Sequence, residues 1–378
     1  MSFFFFAIFL AYGGMHVYAF LRARIALGFG AAPSFVVAGF MVVMTIAPFF
    51  IRLLERYEFQ LAARVLSSIA YIWMALLFLF FCSSIALDLL NLVPRFAGWV
   101  SGKSASPYLL SVRLAFLIPA GLALILCVYG YFDALNIRTE RLRIETTKLP
   151  STIKRLTIVQ ISDVHLGLIV RNSRLRKVMD IVKAEKPDIF LSTGDLVDAQ
   201  INEMAGMAEL LREVKAPYGN FAITGNHEYY AGIKDALAFT REAGFTLLRG
   251  EAVTNGPINI AGVDDPTGVQ LKIERPEPAR ALLSALPKGK FTLFLRHRPE
   301  VDHTAGLFDL QLSGHTHKGQ IFPFTYVSKI AYPLNAGRFD LGGGSILYVS
   351  RGTGTWGPPI RFLSPPQVTV IELVRKGA

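Results

Sequence analysis

The sequence predicts a chain in two parts, an all-α membrane-spanning region followed by an α/β domain. Hydrophobic residues make up 52% of the 378, and the excess is concentrated before about residue 133. Beyond about Pro150, short apolar runs alternate with helical patterns. Five of those runs end in clusters of Asp, Asn and His, and five of the seven histidines fall in them. Residues 1–134 are therefore expected to form the membrane region, 135–150 a basic juxtamembrane linker, and 151–378 the α/β domain.

Four stretches are long and apolar enough to cross a bilayer of roughly 30 Å. They are Phe3–Leu21, Phe35–Leu54, Ala63–Leu92 and Leu109–Ala134, the third long enough to tilt or to run past the lipid. No basic residue precedes the first, so it does not read as a cleavable signal peptide. His16 and Arg113 are the polar groups at or near membrane depth; we expect His16 to be paired within the bundle and Arg113 to snorkel. Cys82 and Cys127 both lie in apolar runs, which argues against a disulfide framework or a thiolate zinc site.

The formal net charge is +11, with 12 Lys/Arg against 6 Asp/Glu before residue 151 and 27 against 22 after it. Arg52, Arg56, Arg64, Arg138, Arg141, Arg143, Lys148, Lys154 and Arg155 fall on one side of the expected spans. Arg22, Arg24, Arg95, Lys103 and Arg113 fall on the other. This bias places the C-terminal domain in the cytoplasm and the protein, multi-pass, in the inner membrane. Anionic membrane lipids are the expected partners of the clustered charge. No aromatic-interleaved basic stripe or nucleic-acid motif is present, so no nucleic-acid partner is expected. A transporter reading finds few ionisable groups in the spans and no repeat.

In the second part, "LTIVQIS", "IFLSTGD", "GNFAITGN", "FTLFLRH" and "FDLQLSGH" read as strands, and "SRLRKVMDIVKAE" as a helix with Leu175, Val178, Met179 and Val182 on one face. The strand ends carry Asp163 and His165, Asp195, Asn226 and His227, His297, and His315 and His317. Carboxyl ends of strands in an α/β sheet bring side chains from separate strands together. An Asp and a His two residues apart point the same way and can grip one ion. Mixed His, Asp and Asn donors suit Mn, Fe or Zn better than Mg or Ca. Two such ions a few ångströms apart clamp a phosphoryl group and activate water at neutral pH.

The order "SDVH", "GDLVD", "GNHE", "H", "GHTH" across Leu156–Gln320 resembles the calcineurin-like metallophosphoesterases, and "YVSRGTGTWGPPIRF" resembles the C-terminal strands of their bacterial membrane-anchored members. The resemblance implies a four-layer α-β-β-α sandwich and two divalent cations, with manganese favoured. It assigns Asp163, His165 and His317 to the first metal, Asp195 to both, and Asn226, His297 and His315 to the second. His227 would contact the substrate phosphate and serve as general acid, or stabilise the leaving oxygen. His303 is a rival to His297. Arg296 and Lys318 are candidate phosphate-binding cations, although either also fits a solvated surface. Asp198 is expected to orient a ligand, and Glu228 has either that role or a structural one.

The implied activity is hydrolysis of a phosphodiester or pyrophosphate at the cytoplasmic leaflet. Some similar enzymes cleave UDP-2,3-diacylglucosamine in lipid A biosynthesis, which fits an enzyme with spans. The run "LGLIVRNSRLRK", with Leu166, Leu168, Ile169 and Val170 before Arg171, Arg174, Arg176 and Lys177, reads either as a lip for an acyl chain and lipid phosphates or as a loop entering a helix with a basic face. The alternatives are a general phosphodiesterase or phosphatase on soluble esters, tethered only for location, and a silent scaffold, which every filled ligand position argues against.

Overall fold

The computed structural model describes residues 2–198, 204, 206–274 and 279–377, with side chains from residue 9 onward except that of Asn255. It divides into two compact units. One is Met1–Phe132 with Pro358–Ile360, and the other Asp133–Gly357 with Arg361–Ala378.

The first unit is helical: α1 (Ser2–Leu27), α2 (Ala31–Arg56), α3 (Gln60–Ser101) and most of α4 (Val112–Leu135). Among the described residues three segments, Ala31–Arg56, Gln60–Ser101 and Ser106–Leu135, are long and apolar enough to cross a membrane. The first expected span, Phe3–Leu21, falls within α1 and begins among residues whose side chains lie outside the described set. At 42 residues α3 is about 63 Å long, twice the hydrocarbon thickness, and so outruns the expected third span. His16 is buried and satisfied as expected: Nδ1 donates to the Tyr12 carbonyl and Nε2 accepts from Trp73, both at 2.9 Å. Arg113 is exposed.

The second unit is built on two six-stranded sheets. Its strands are β1 (Arg138–Thr146), β2 (Arg155–Ile161), β3 (Ile189–Thr193), β4 (Asn220–Ile223), β5 (Thr246–Leu247), β6 (Glu251–Asn255), β7 (Ile258–Gly262), β8 (Phe291–Leu295), β9 (Leu310–Ser313), β10 (Gly337–Gly342), β11 (Ser345–Val349) and β12 (Gln367–Arg375). One sheet runs β1-β12-β2-β3-β4-β5 and the other β10-β11-β9-β8-β7-β6. Strands β2 to β5 are parallel, as are β7, β8, β9 and β11. The helices are α5 (Asn172–Ala184), α6 (Met207–Arg212), α7 (Asn226–Ala231), α8 (Ile233–Glu242), α9 (Thr267–Gln270), α10 (Ala279–Ser284) and α11 (Phe324–Ala331).

Alternation along the strands builds the layers. Leu156 and Ile158 of β2 join Leu293, Leu295 and Leu310 in a core between the sheets. Val159 and Ile161 face the other way, onto Leu175, Val178, Met179 and Val182 of α5. Phe294 packs outward on Ala279 and Leu283 of α10. Helix, sheet, sheet, helix is the four-layer order expected.

Three local expectations are corrected. The basic linker is largely β1, an edge strand paired in parallel with β12 over nine residues; its charges alternate with the inward-facing Leu142 and Ile144. "YVSRGTGTWGPPIRF" is, after Val349, a loop between β11 and β12. The lip is not one, because Leu166 and Val170 are fully buried and Leu166 bridges Val170 and Val197. Arg174 is also buried and donates to the Thr355 hydroxyl and the Ala134 carbonyl.

Candidate metal centre

The loops leaving β2, β3, β4, β8 and β9 converge, and backbone bonds stitch them together. Asp163 N–H donates to the Gly194 carbonyl at 3.0 Å, and His165 N–H to that of Asp195 at 3.0 Å. Asp163, His165, Asp195, His315 and His317 all have positive φ, a region that costs most L-residues energy and that recurs at functional sites. The sharp turns need close backbone approach. A Cβ on Gly225 would strike Asp195, and one on Gly314 would strike Ser162 Oγ and Asp163 Oδ2.

Three overlapping groups of donor atoms result: Asp163, His165 and His317; His165, Asp195 and His227; and Asp195, His297 and His315. Asp195 Oδ2 lies 3.2 Å from His297 Nε2 and 3.8 Å from His165 Nε2. Asp163 Oδ1 lies 3.5 Å from His317 Nε2, which is 3.0 Å from His165 Nε2. His315 Nδ1 is 3.3 Å from His297 Nε2. Asn226 presents a buried Oδ1 with no hydrogen-bond partner, an orphaned acceptor in a site made of donors to cations. His303 is exposed and outside every donor group.

The surroundings set the tautomers. His297 Nδ1 donates to the Thr193 carbonyl at 2.8 Å, which leaves Nε2 facing Asp195. His227 Nδ1 donates to the Asp198 carbonyl at 2.6 Å and sits 3.1 Å from the Asp198 carboxylate, leaving Nε2 free. Asp198 Oδ1 also lies 3.4 Å from His165 Nδ1.

Electrostatics shows what the buried carboxylates demand. Burial alone would raise Asp195, yet the charges of His297 and His227 hold it well below the usual range. Burial would likewise depress the histidines, but Asp195 overrides it, lifting His297 to about 10 and His227 to about 9. Burial and the His297 charge push His315 down to about 3, and burial with the Arg361 charge pushes His317 well below its ordinary value. Positive charge is thus drawn to Asp195, beside neutral imidazoles with lone pairs. Carboxylates, neutral His and an orphan Asn oxygen are a donor set that fits divalent cations.

Comparison settles the family. The calcineurin-like phosphoesterase profile matches residues 156–319. A metallophosphoesterase of Aquifex aeolicus, named as uncharacterized, is 39% identical over 259 residues, 68% of this chain and 99% of its own length. This chain is a calcineurin-like metallophosphoesterase. Another, from Campylobacter jejuni, is 32% identical over 312 residues, 80% of this chain and 82% of its own. A "transmembrane protein with metallophosphoesterase domain" of Danio rerio is 31% identical over 264 residues, 66% of this chain and 60% of that one.

Two of the expected substrate cations sit differently in this metallophosphoesterase. Arg296 donates to Asp302 at 2.8 Å and to the Glu300 carbonyl at 3.4 Å, which engages it with the following turn. Lys318 has positive φ and lies near Arg351 and Lys329; burial first, then those charges, lower its pKa.

Sequence reasoning left Glu228 undecided and missed Arg361. Glu228, at the third position of α7, accepts from the amides of Asp195 at 3.0 Å, Gly225 at 2.6 Å, Leu196 at 2.8 Å and Val197 at 3.4 Å. It clamps two ligand loops at once, and "GNHE" carries the signal, since a Glu three residues into a helix commonly reaches back to the cap amide. Arg361 is fully buried, donates to the carbonyls of Gly354, Arg351 and His317, and lies 2.9 Å from His317 Nδ1. No signal in the sequence marks it.

Proposed function

We propose that the protein is a membrane-held dinuclear phosphoester hydrolase acting at the cytoplasmic leaflet on a phosphodiester or pyrophosphate, of which a lipid-linked nucleotide such as UDP-2,3-diacylglucosamine is the type. The observation that carries the reading is Asp195, a buried carboxylate common to two donor groups. In this reading Asp163, His165, Asp195 and His317 hold one cation, and Asp195, Asn226, His297 and His315 the other. Two divalent cations supply electrophilic pull on the phosphoryl oxygens and a water of lowered pKa. Manganese is the favoured ion.

His227 then faces substrate through Nε2, because Asp198 holds Nδ1. It delivers the Nε2 proton to the leaving oxygen, or stabilises its charge. Asp198 fixes the orientation of that ring and favours its protonated form. Lys318 adds positive charge for a phosphate. The membrane location rests on the three apolar segments, and the cytoplasmic facing on the nine-to-five Lys/Arg bias.

Hydrolysis of bis(p-nitrophenyl) phosphate by the full chain, with and without Mn²⁺, tests the reaction class. Asp195→Asn is expected to abolish metal-dependent turnover with the fold retained. His227→Gln is expected to lower kcat about 10²- to 10⁴-fold, the ordinary size of a general-acid contribution. Undiminished activity in Asp195→Asn would overturn the assignment.

A further inference from the structure

Helix α11 follows the His315–His317 loop and is tied to it on one side. The Thr325 hydroxyl donates to the Lys318 carbonyl at 2.8 Å, and the Ser328 hydroxyl to that of Thr316 at 3.5 Å. Thr325 and Ser328 are three residues apart and so share a face. None of the helix's residues is buried. Its outer side presents Tyr326, Val327 and Ile330, which are 62%, 53% and 84% exposed. Trp356, 53% exposed, is tied to the turn before α11: Gln320 donates to its carbonyl and accepts from its amide, both at 2.9 Å.

Two aromatic rings link this region with the metal centre. Tyr332, directly after α11, sets its ring edge-on to His315 at 5.0 Å between centroids. Trp356 does the same to His227 at 6.1 Å. A cation pair adjoins it, since Lys318 feels the charge of Lys329, which lies on α11 itself. Phosphoester-binding groups, basic side chains and exposed aliphatic and aromatic residues are therefore carried by one continuous stretch, His315–Tyr332, with Trp356 bonded to it.

From this continuity we propose that Trp356 and the outer face of α11 form a subsite for the alkyl chain of the substrate, which makes the substrate a lipid phosphoester. The proposal rests on the metal-site reading above. It adds the chemistry of the leaving or retained group, with Lys318 and Lys329 complementing the phosphate and Tyr326, Val327 and Ile330 the chain. One helix diameter, about 10 Å, separates the two faces of α11, so only a chain of several carbons reaches the outer one. A fully buried methylene is worth about fourfold in affinity.

The test is calorimetric binding of ethyl phosphate and decyl phosphate to the Mn²⁺-loaded full chain in nanodiscs, repeated for Ile330→Gln and Val327→Gln. Both side chains are exposed, so the fold is not at risk, and partitioning of the probe into the disc cancels between proteins. Decyl phosphate is expected to bind at least tenfold tighter than ethyl phosphate to the wild type, with that ratio falling severalfold in each variant. A ratio near one, or one unchanged by both substitutions, would overturn the subsite. Binding is read without turnover, so a failure to hydrolyse the chromogenic diester bears on the reaction class alone.

Discussion

Glu228→Gln isolates the clamp between two ligand loops. The carboxylate accepts four amides, two on each oxygen: Asp195 and Gly225 on Oε2, Leu196 and Val197 on Oε1. An amide side chain keeps one oxygen and turns an NH2 toward the other pair. Val197, at 3.4 Å, makes the longest of the four bonds, so the NH2 is expected at the Oε1 position, facing Leu196 and Val197. A buried donor left unmet costs about 1–3 kcal/mol, and two cost about 2–6 kcal/mol. Burial and the Asp195 charge raise the pKa of Glu228, and the neutral side chain relieves that strain, so the low end applies. Two kcal/mol is about thirtyfold in the local opening equilibrium. Hydrogen exchange of the full chain, read on peptides spanning residues 193–198, should show the Leu196 and Val197 amides exchanging about thirtyfold faster, with weaker Mn²⁺ binding. Exchange within threefold of wild type and unchanged Mn²⁺ affinity would refute the clamp.

Other expectations follow from the same geometry. In Gly314→Ala the new Cβ strikes Ser162 Oγ and Asp163 Oδ2, so Mn²⁺ affinity by calorimetry should fall at least tenfold; full affinity would mean that the turn relaxes freely. Asp265 is depressed below its ordinary pKa because the Arg298 bonds at 2.8 and 2.9 Å outweigh the burial that would raise it. Its stabilising contribution is therefore complete above the unfolded pKa of about 3.9 and is lost as pH falls through the lower folded value. The Tm gap between wild type and Asp265→Asn should hold from pH 7 to 5 and narrow below pH 4; a gap that persists to pH 2 would count against it.

What the sequence disclosed depended on whether side-chain identity carried the information. The donor residues were legible because Asp, Asn and His at five strand ends are chemically conspicuous. α5 was legible because Leu175, Val178, Met179 and Val182 repeat at helical spacing. β1 hid behind its own composition: as an edge strand it shows Arg141, Arg143 and Glu145 to solvent, and alternating charge reads as a linker. "LGLIV" suggested an exposed lip, but its alternate residues Leu166 and Val170 are held by isolated bridges that no local pattern announces. Arg361 acts on backbone carbonyls brought from distant segments, which leave no trace in residue types. For Glu228 only the bond to the cap amide of Gly225 is local, and the amides of Asp195, Leu196 and Val197 come from another loop. The apolar face of α11 was overlooked because eight residues are too few for periodicity to stand out.

The pairing of β1 with β12 has a mechanical consequence. β1 follows the last long apolar helix with only Asn136 and Ile137 between them, so tension on that helix passes first into β1. A pull along β1 would load its nine residues in parallel register with β12 all together, whereas a pull across it would peel them one bond at a time. β12 in turn sits between β1 and β2 and places its far edge on the strand that leads to Asp163. Trimming the chain before Gln367 would leave the tether holding a strand with no neighbour, while an addition after Arg375 would leave the splice intact.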